Sequence, residues 1–211
     1  MRDTFSSDSI RAAIAERAAW TAKRTTRGSV RDQILDAATT LFYEQGIRAA
    51  GVEAIVQRAG VTKVTFYRHF SAKDDLVVAY LDRRAAWERE SVELALQMTG
   101  NDPAAAFRVI AEAIGVESCA PGFRGCPFIN AAAEFPDPDS PVRQAVDRHR
   151  RWFLTLGESL LVDLGVREPA EVATELMMLR DGAMVSGYLG DPSRVATALY
   201  RAGRAVVQAY R

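Results

Sequence analysis

The sequence predicts an all-α chain. Apolar residues recur at helical spacing along most of its 211 residues, the pattern of helices that bury one face. The interruptions read as helix punctuation: Gly60, then Gly100-Asn101-Asp102-Pro103, then the proline-rich run Phe135–Pro141. The break at Ala59-Gly60-Val61-Thr62 is short enough to make its two flanking helices a helix-turn-helix, the motif of many DNA-binding proteins.

Taken in order, residues 8–24 place Ile10, Ala13, Ile14, Arg17 and Trp20 near one stripe and lead into basic Lys23-Arg24-Thr25-Thr26-Arg27. This extension reads as a disordered arm, an extra helix, or a basic arm for an adjacent minor groove. Residues 30–46 form a helix with Ile34, Leu35, Ala38, Leu41 and Phe42 inward, closed by Gly46. Residues 52–59 and 63–69 are the two helices of the motif. A long helix follows from about Lys73 to Met98, with Ser71 as its cap and Asp74 and Asp75 in its electropositive first turn. Asp102 as N-cap and Pro103 at the first helical position start the next, to about Glu117. After an irregular loop, Cys119–Pro127, come a short helix at 128–134 and helices over 141–164, 169–189 and 192–210.

The motif's second helix divides by face. At 100° per residue Phe66 and Phe70 share one side and belong in a core, while Val64 and Arg68 lie nearly opposite, flanked by Thr65 and Tyr67. Arginine suits guanine or phosphate, threonine and tyrosine suit phosphate oxygens, and valine suits the thymine methyl. Lys63, His69 and Lys73 stand at the rim, and Thr62 is placed to cap the helix.

Ile34-Leu35-Asp36-Ala37-Ala38, Leu41-Phe42, Gly46, Val52-Glu53-Ala54-Ile55, Ala59-Gly60-Val61, Phe66-Tyr67-Arg68-His69-Phe70 and Lys73-Asp74-Asp75-Leu76 together resemble the tetracycline-repressor (TetR) family over about residues 30–80. The resemblance implies an N-terminal three-helix head with the helix-turn-helix and a C-terminal helical body for ligand binding and dimerisation. On that basis residues 1–28 are an N-terminal extension, 29–75 the DNA-binding domain and 76–211 the body. Thr62, Lys63, Val64, Thr65, Tyr67, His69 and Lys73 match family positions that usually touch DNA, and the face analysis adds Arg68. Two residues depart from the family pattern: Val64 stands where many members carry glycine, and Gly51 where serine or threonine usually caps the preceding helix. The implied partners are a double-stranded DNA operator and a second copy of the chain, joined through the last two helices. Small residues Ala183, Ser186, Gly187, Ala198, Ala202 and Gly203 suit close helix approach there.

Composition narrows the remaining classes. Net charge is zero, yet residues 1–75 carry twelve Lys/Arg against nine Asp/Glu, and residues 76–211 fifteen against eighteen. That asymmetry favours an anionic partner for the N-terminal part. No apolar run approaches the ~20 residues that span a bilayer, and Met1–Ser6 leads into polar sequence rather than a secretory core. A cytoplasmic protein without membrane contact is expected. Two cysteines exclude a disulfide framework. Cys126 with His149 lacks any local feature that would activate the thiol, and Cys119, Cys126 and His149 lack metal-ligand spacing. The chain is therefore read as no enzyme, with no cofactor and no metal.

For the body, Phe107, Cys126, Phe128, Asn130, Trp152, Met177 and Asp181 are the candidate contacts of an unknown small apolar or amphipathic effector. Arg180 and Asp181 stand out because charge midway along an apolar helix needs a partner. The predicted function is a ligand-responsive transcriptional regulator, a repressor released from its operator by a small molecule, with the helix from residue 73 as the lever. The alternative is a ligand-binding or cysteine redox-sensing protein with a vestigial head.

Overall fold

The computed structural model describes residues 28–211; the predicted helix over 8–24 lies outside them. The described residues are helical, with no strand. Helices run Val30–Gln45 (α1), Val52–Ala59 (α2), Lys63–His69 (α3), Lys73–Met98 (α4), Pro103–Ser118 (α5), Pro127–Glu134 (α6), Pro141–Asp163 (α7), Pro169–Leu189 (α8) and Val195–Ala209 (α9), the last preceded by a 3-10 turn at Pro192–Arg194. The chain divides into two compact units, and the divisions fall inside α4, between α6 and the loop before it, and inside α7.

The first unit holds residues 28–87 with 127–148. Helix α1 opens on a capping box: the Asp32 N–H donates to Ser29 Oγ at 3.3 Å, and the Ser29 N–H donates to Asp32 Oδ2 at 3.0 Å. The Ser29 hydroxyl also bonds the Asp32 carboxylate and, against the opposing effect of burial, holds it below the usual carboxylate range. Ile34, Ala38, Ile55, Phe66, Leu76 and Val77 are wholly enclosed, so α1, α2, α3 and the start of α4 share one apolar interior. Arg83 of α4 fixes α1 through Asp36 at 2.5 Å, the Leu35 carbonyl at 3.3 Å and the Thr39 hydroxyl.

Sequence gave no sign of one long-range tie. Glu134, the last residue of α6, accepts the Ile47 N–H at 2.8 Å and the Arg48 N–H at 2.6 Å. Gly46, at φ 95°, turns the chain after α1 so that two successive N–H groups converge on one carboxylate. Helix α6 is thereby part of the unit that carries the helix-turn-helix.

The second unit holds residues 88–126 with 149–211. Helix α9 packs against α5 and α8. Gly115 makes the first contact possible: a Cβ there would lie 2.5 Å from the Ala196 Cβ. Two of the small residues expected at a dimer interface permit close packing within this unit, since Gly187 faces Ser118 and Phe123, and Gly203 faces Leu176. An apolar cluster of Leu161, Val166, Val172 and Ala173 is covered by Phe107, Leu176, Val206 and Tyr210. The stop between α4 and α5 follows the predicted chemistry: Gly100 and Asn101 take φ of 63° and 60°, and Asp102 Oδ1 accepts the Ala104 N–H at 2.9 Å.

Candidate nucleic-acid interface

Helix α3 is only seven residues long, so its ends decide whether it holds. Gly60 ends α2 at φ 68°, and its N–H reaches back to the Gln57 carbonyl. Thr62 Oγ1 then accepts the Thr65 N–H at 3.1 Å, and the two threonine hydroxyls lie 2.9 Å apart. Gly51 gives α2 no side-chain cap. Phe66 and Phe70 point inward with their rings 6.1 Å apart, and the Arg31 guanidinium covers Phe70 at 4.9 Å.

With the phenylalanines inward, the opposite face is left to solvent. Val64 is 72% exposed and Tyr67 52%, far above ordinary burial for such residues. Thr62, Lys63, Arg68 and His69 are exposed as well, while Thr65 is half-buried. The Tyr67 ring stands edge-on to Phe66 at 5.1 Å, which steadies the phenol at the surface.

Two of the expected phosphate contacts are engaged within the unit. Lys63 pairs with Glu53 on α2, which holds the Glu53 carboxyl below its ordinary range and raises the lysine. Both groups are exposed, so salt screens the pair and a phosphate competes for the ammonium. Lys73 Nζ donates to the Arg48 carbonyl at 3.4 Å and lies 5.9 Å from the centre of the Phe42 ring. Burial lowers its pKa, partly offset by Glu134 and Asp74.

The body candidates are dispersed. A cavity of about 230 Å³ is walled by α5, α7, α8 and α9, and Phe107 and Met177 line it together with Ile110, Ile114, Phe153 and Arg180. Cys126 is buried with its Sγ 3.3 Å from Arg180 Nη1. Asp181 bridges Arg150 at 2.7 Å and Arg180 at 3.1 Å. Trp152 stacks beside His149 and Phe153. Phe128 and Asn130 belong to α6, in the unit of the helix-turn-helix. Sequence reasoning missed the contribution of α9, whose Tyr200, Arg204 and Gln208 also line the cavity, with Arg211 just past its end; the spacing of four and four is the signal of one helical face.

Against known proteins, the model of the family described as bacterial regulatory proteins, tetR family, matches residues 34–80. The solved structure of SCO4454, a TetR-family transcriptional regulator from Streptomyces coelicolor, superposes with a TM-score of 0.81 at 40% identity, covering 86% of this chain and 95% of that one. The chain belongs to the TetR family. Among curated relatives of this TetR-family protein, the HTH-type transcriptional regulator Rv1255c of Mycobacterium tuberculosis is 30% identical over 177 residues, covering 73% of this chain and 85% of the relative. The HTH-type transcriptional activator FasR of Mycolicibacterium smegmatis is 41% identical over 76 residues, and that match spans only 35% of FasR. The protein is a ligand-responsive DNA-binding transcriptional regulator of all-α fold, and the reading as a binding protein with a vestigial head is not favoured. No helix among the described residues is long and apolar enough to cross a membrane.

Proposed function

We propose that the protein is a dimeric repressor that reads an operator through α3 and leaves it when a small molecule enters the body. The observation that carries this reading is the outward face of α3: Val64, Tyr67 and Arg68 stand free while Phe66 and Phe70 anchor the helix from behind. Val64 and Arg68 meet base edges; Thr62, Lys63, Thr65, Tyr67, His69 and Lys73 meet the phosphate backbone. The cavity is the effector site, and α4 is the lever. The effector acts by binding more tightly to a head separation that the operator does not accept.

One recognition helix reads only a few base pairs, so two must stand about 34–36 Å apart. The last two helices supply the surface for pairing. Along α8, Met178 is 69% and Leu189 75% exposed, with Val185 between them on the same face. Gly182 interrupts that stripe, and a Cβ placed there would meet nothing within 4 Å. An apolar stripe of this kind calls for a partner, and α9 carries exposed Ala198 and Ala205.

Fluorescence anisotropy with the DNA upstream of the protein's own gene, a scrambled duplex and varied salt tests the reading. Tight, sequence-dependent binding whose log K falls steeply with log salt is expected. Equal, weak binding to both duplexes, and to every fragment of a genomic selection, would sink it. Light scattering of Met178→Glu tests the pairing surface: monomers are expected, and an unchanged dimer would place the interface elsewhere.

A further inference from the structure

The cavity in the second unit has a chemical bias that its apolar lining conceals. Three arginines, Arg180, Arg204 and Arg211, lie on its wall, and among the described residues no aspartate or glutamate does. Arg211 is partly occupied, donating to the Leu164 carbonyl at 3.0 Å. Arg180 is the buried one, only 8% exposed. Its Nη1 reaches Cys126 Sγ at 3.3 Å and Asp181 Oδ1 at 3.1 Å, and its Nη2 lies 3.9 Å from Glu88. Its Nε is buried and meets no acceptor.

The carboxylates beside Arg180 do not belong to it alone. Asp181 also holds Arg150 at 2.7 Å, and Glu88 also holds His149 at 3.1 Å. Two shared carboxylates therefore face two arginines, which leaves the cluster no surplus of negative charge to repel an anion. Burial opposes the charge on Arg180, but Cys126, Glu88 and Asp181 together outweigh it, so the guanidinium stays protonated. The Phe153 ring lies 5.3 Å from that guanidinium and closes one side of it.

We propose that the cavity selects an amphipathic organic anion, with its acidic head beside the Arg180 guanidinium and its apolar part along Phe107, Ile114 and Leu176. This rests on reading the cavity as the effector site. A cationic ligand meets three arginines, with no carboxylate among the described residues of the wall. Size favours a small ligand: the cavity of about 230 Å³ lies just below the range of about 300–1,000 Å³ common for small-molecule sites. That suits an eight-carbon chain or a fused bicyclic ring bearing one carboxylate.

Calorimetric titration of the full chain with octanoate, 2-naphthoate, octan-1-ol and octylammonium decides the matter. At least one carboxylate is expected to bind tenfold or more tightly than octan-1-ol, with octylammonium weakest. Arg180→Met should bring the carboxylate down to the affinity of the alcohol and leave the alcohol unchanged. Should that variant fail to fold, the ligand series on the unmodified protein still decides. Octan-1-ol binding as tightly as both carboxylates would overturn the anion preference but keep the effector cavity. Binding by none of the four would overturn both. Loss of carboxylate affinity in Arg204→Ala, with Arg180→Met unaffected, would overturn the placement of the head.

Discussion

The recognition helix and the cavity use the same residue types in opposite ways. On α3 the aromatics Phe66 and Phe70 turn inward and Arg68 turns out to solvent. On the cavity wall Phe107 and Phe153 stand with a buried arginine, Arg180. An exposed arginine is free to move and pairs with whatever anion arrives; a buried one is held by its surroundings and selects. The first suits a long phosphate polymer read by contact, the second a small molecule read by fit. Changing α3 should therefore alter DNA binding without altering the packing around the cavity.

The largest expected effect falls on the body. Gly115→Leu forces α5 and α9 apart, because even a Cβ would sit 2.5 Å from the Ala196 Cβ. Overpacking of this kind costs about 3 kcal/mol, or roughly 6–12 °C in Tm for a chain of this length. A thermal melt followed by circular dichroism checks it. A drop of only about 1 °C would mean that the α5–α9 contact has slack, and the comparison between a rigid body and an exposed reading face would weaken.

Next comes the head. Arg68→Ala should lower affinity for the preferred operator about tenfold to a hundredfold and flatten preference at one base position, with Tm unchanged. Anisotropy against operator variants reads both effects. If affinity and preference stay as they were, Arg68 does not face the groove.

The contrast also explains what was legible in the sequence. The helix-turn-helix is local: Gly60, Thr62, Phe66 and Phe70 sit within eleven residues, so spacing alone placed its turn, its cap and its inward face. Helix boundaries were readable for the same reason, since Asp102-Pro103 and Gly46 act on their own neighbours. The cavity is not local. Its wall joins Phe107 to Gln208 across four helices, and no spacing rule reports which faces of distant helices meet. Arg180 and Asp181 drew notice as charges on an apolar helix, but their partners Cys126 and Arg150 lie at least thirty residues away. The smallness of Gly187 and Gly203 shows in sequence, and the neighbours within the chain that exploit it, Ser118 and Leu176, do not. Glu134 left no trace beyond ending a short helix, since its bonds to Ile47 and Arg48 span 87 and 86 residues.

Glu134 sharpens the comparison at a smaller scale. In Glu134→Gln one amide oxygen replaces a carboxylate that accepts two N–H groups, a loss of about 1.5 kcal/mol. Urea denaturation should show that loss. DNA affinity should fall as well, because the turn that loosens leads directly into α2. Full affinity with lowered stability would show that α6 supports the fold of the head without setting its geometry. Thr62→Ala should cost about 1 kcal/mol and weaken binding to every duplex alike, since it frays the first turn of α3 without touching a base.

The smallest effect depends on pH and belongs to the start of the head. Hydrogen bonding from Ser29 keeps the Asp32 carboxyl below its ordinary value of 3.8 in the folded protein. A carboxylate depressed by folding adds stability that is complete above its unfolded pKa and disappears as pH falls through the lower folded value. Asp32 is half-buried in the first turn of α1, where solvent screening limits the contribution to a few tenths of a kcal/mol. Asp32→Asn should therefore be slightly less stable than the parent at pH 6, with the gap closing below pH 3.8 as the carboxylate takes up its proton. Paired urea melts across that range measure the gap. A gap that persists undiminished into strong acid would assign the effect to side-chain shape, and the capping box would then act through its hydrogen bonds without help from the charge at the helix N-terminus.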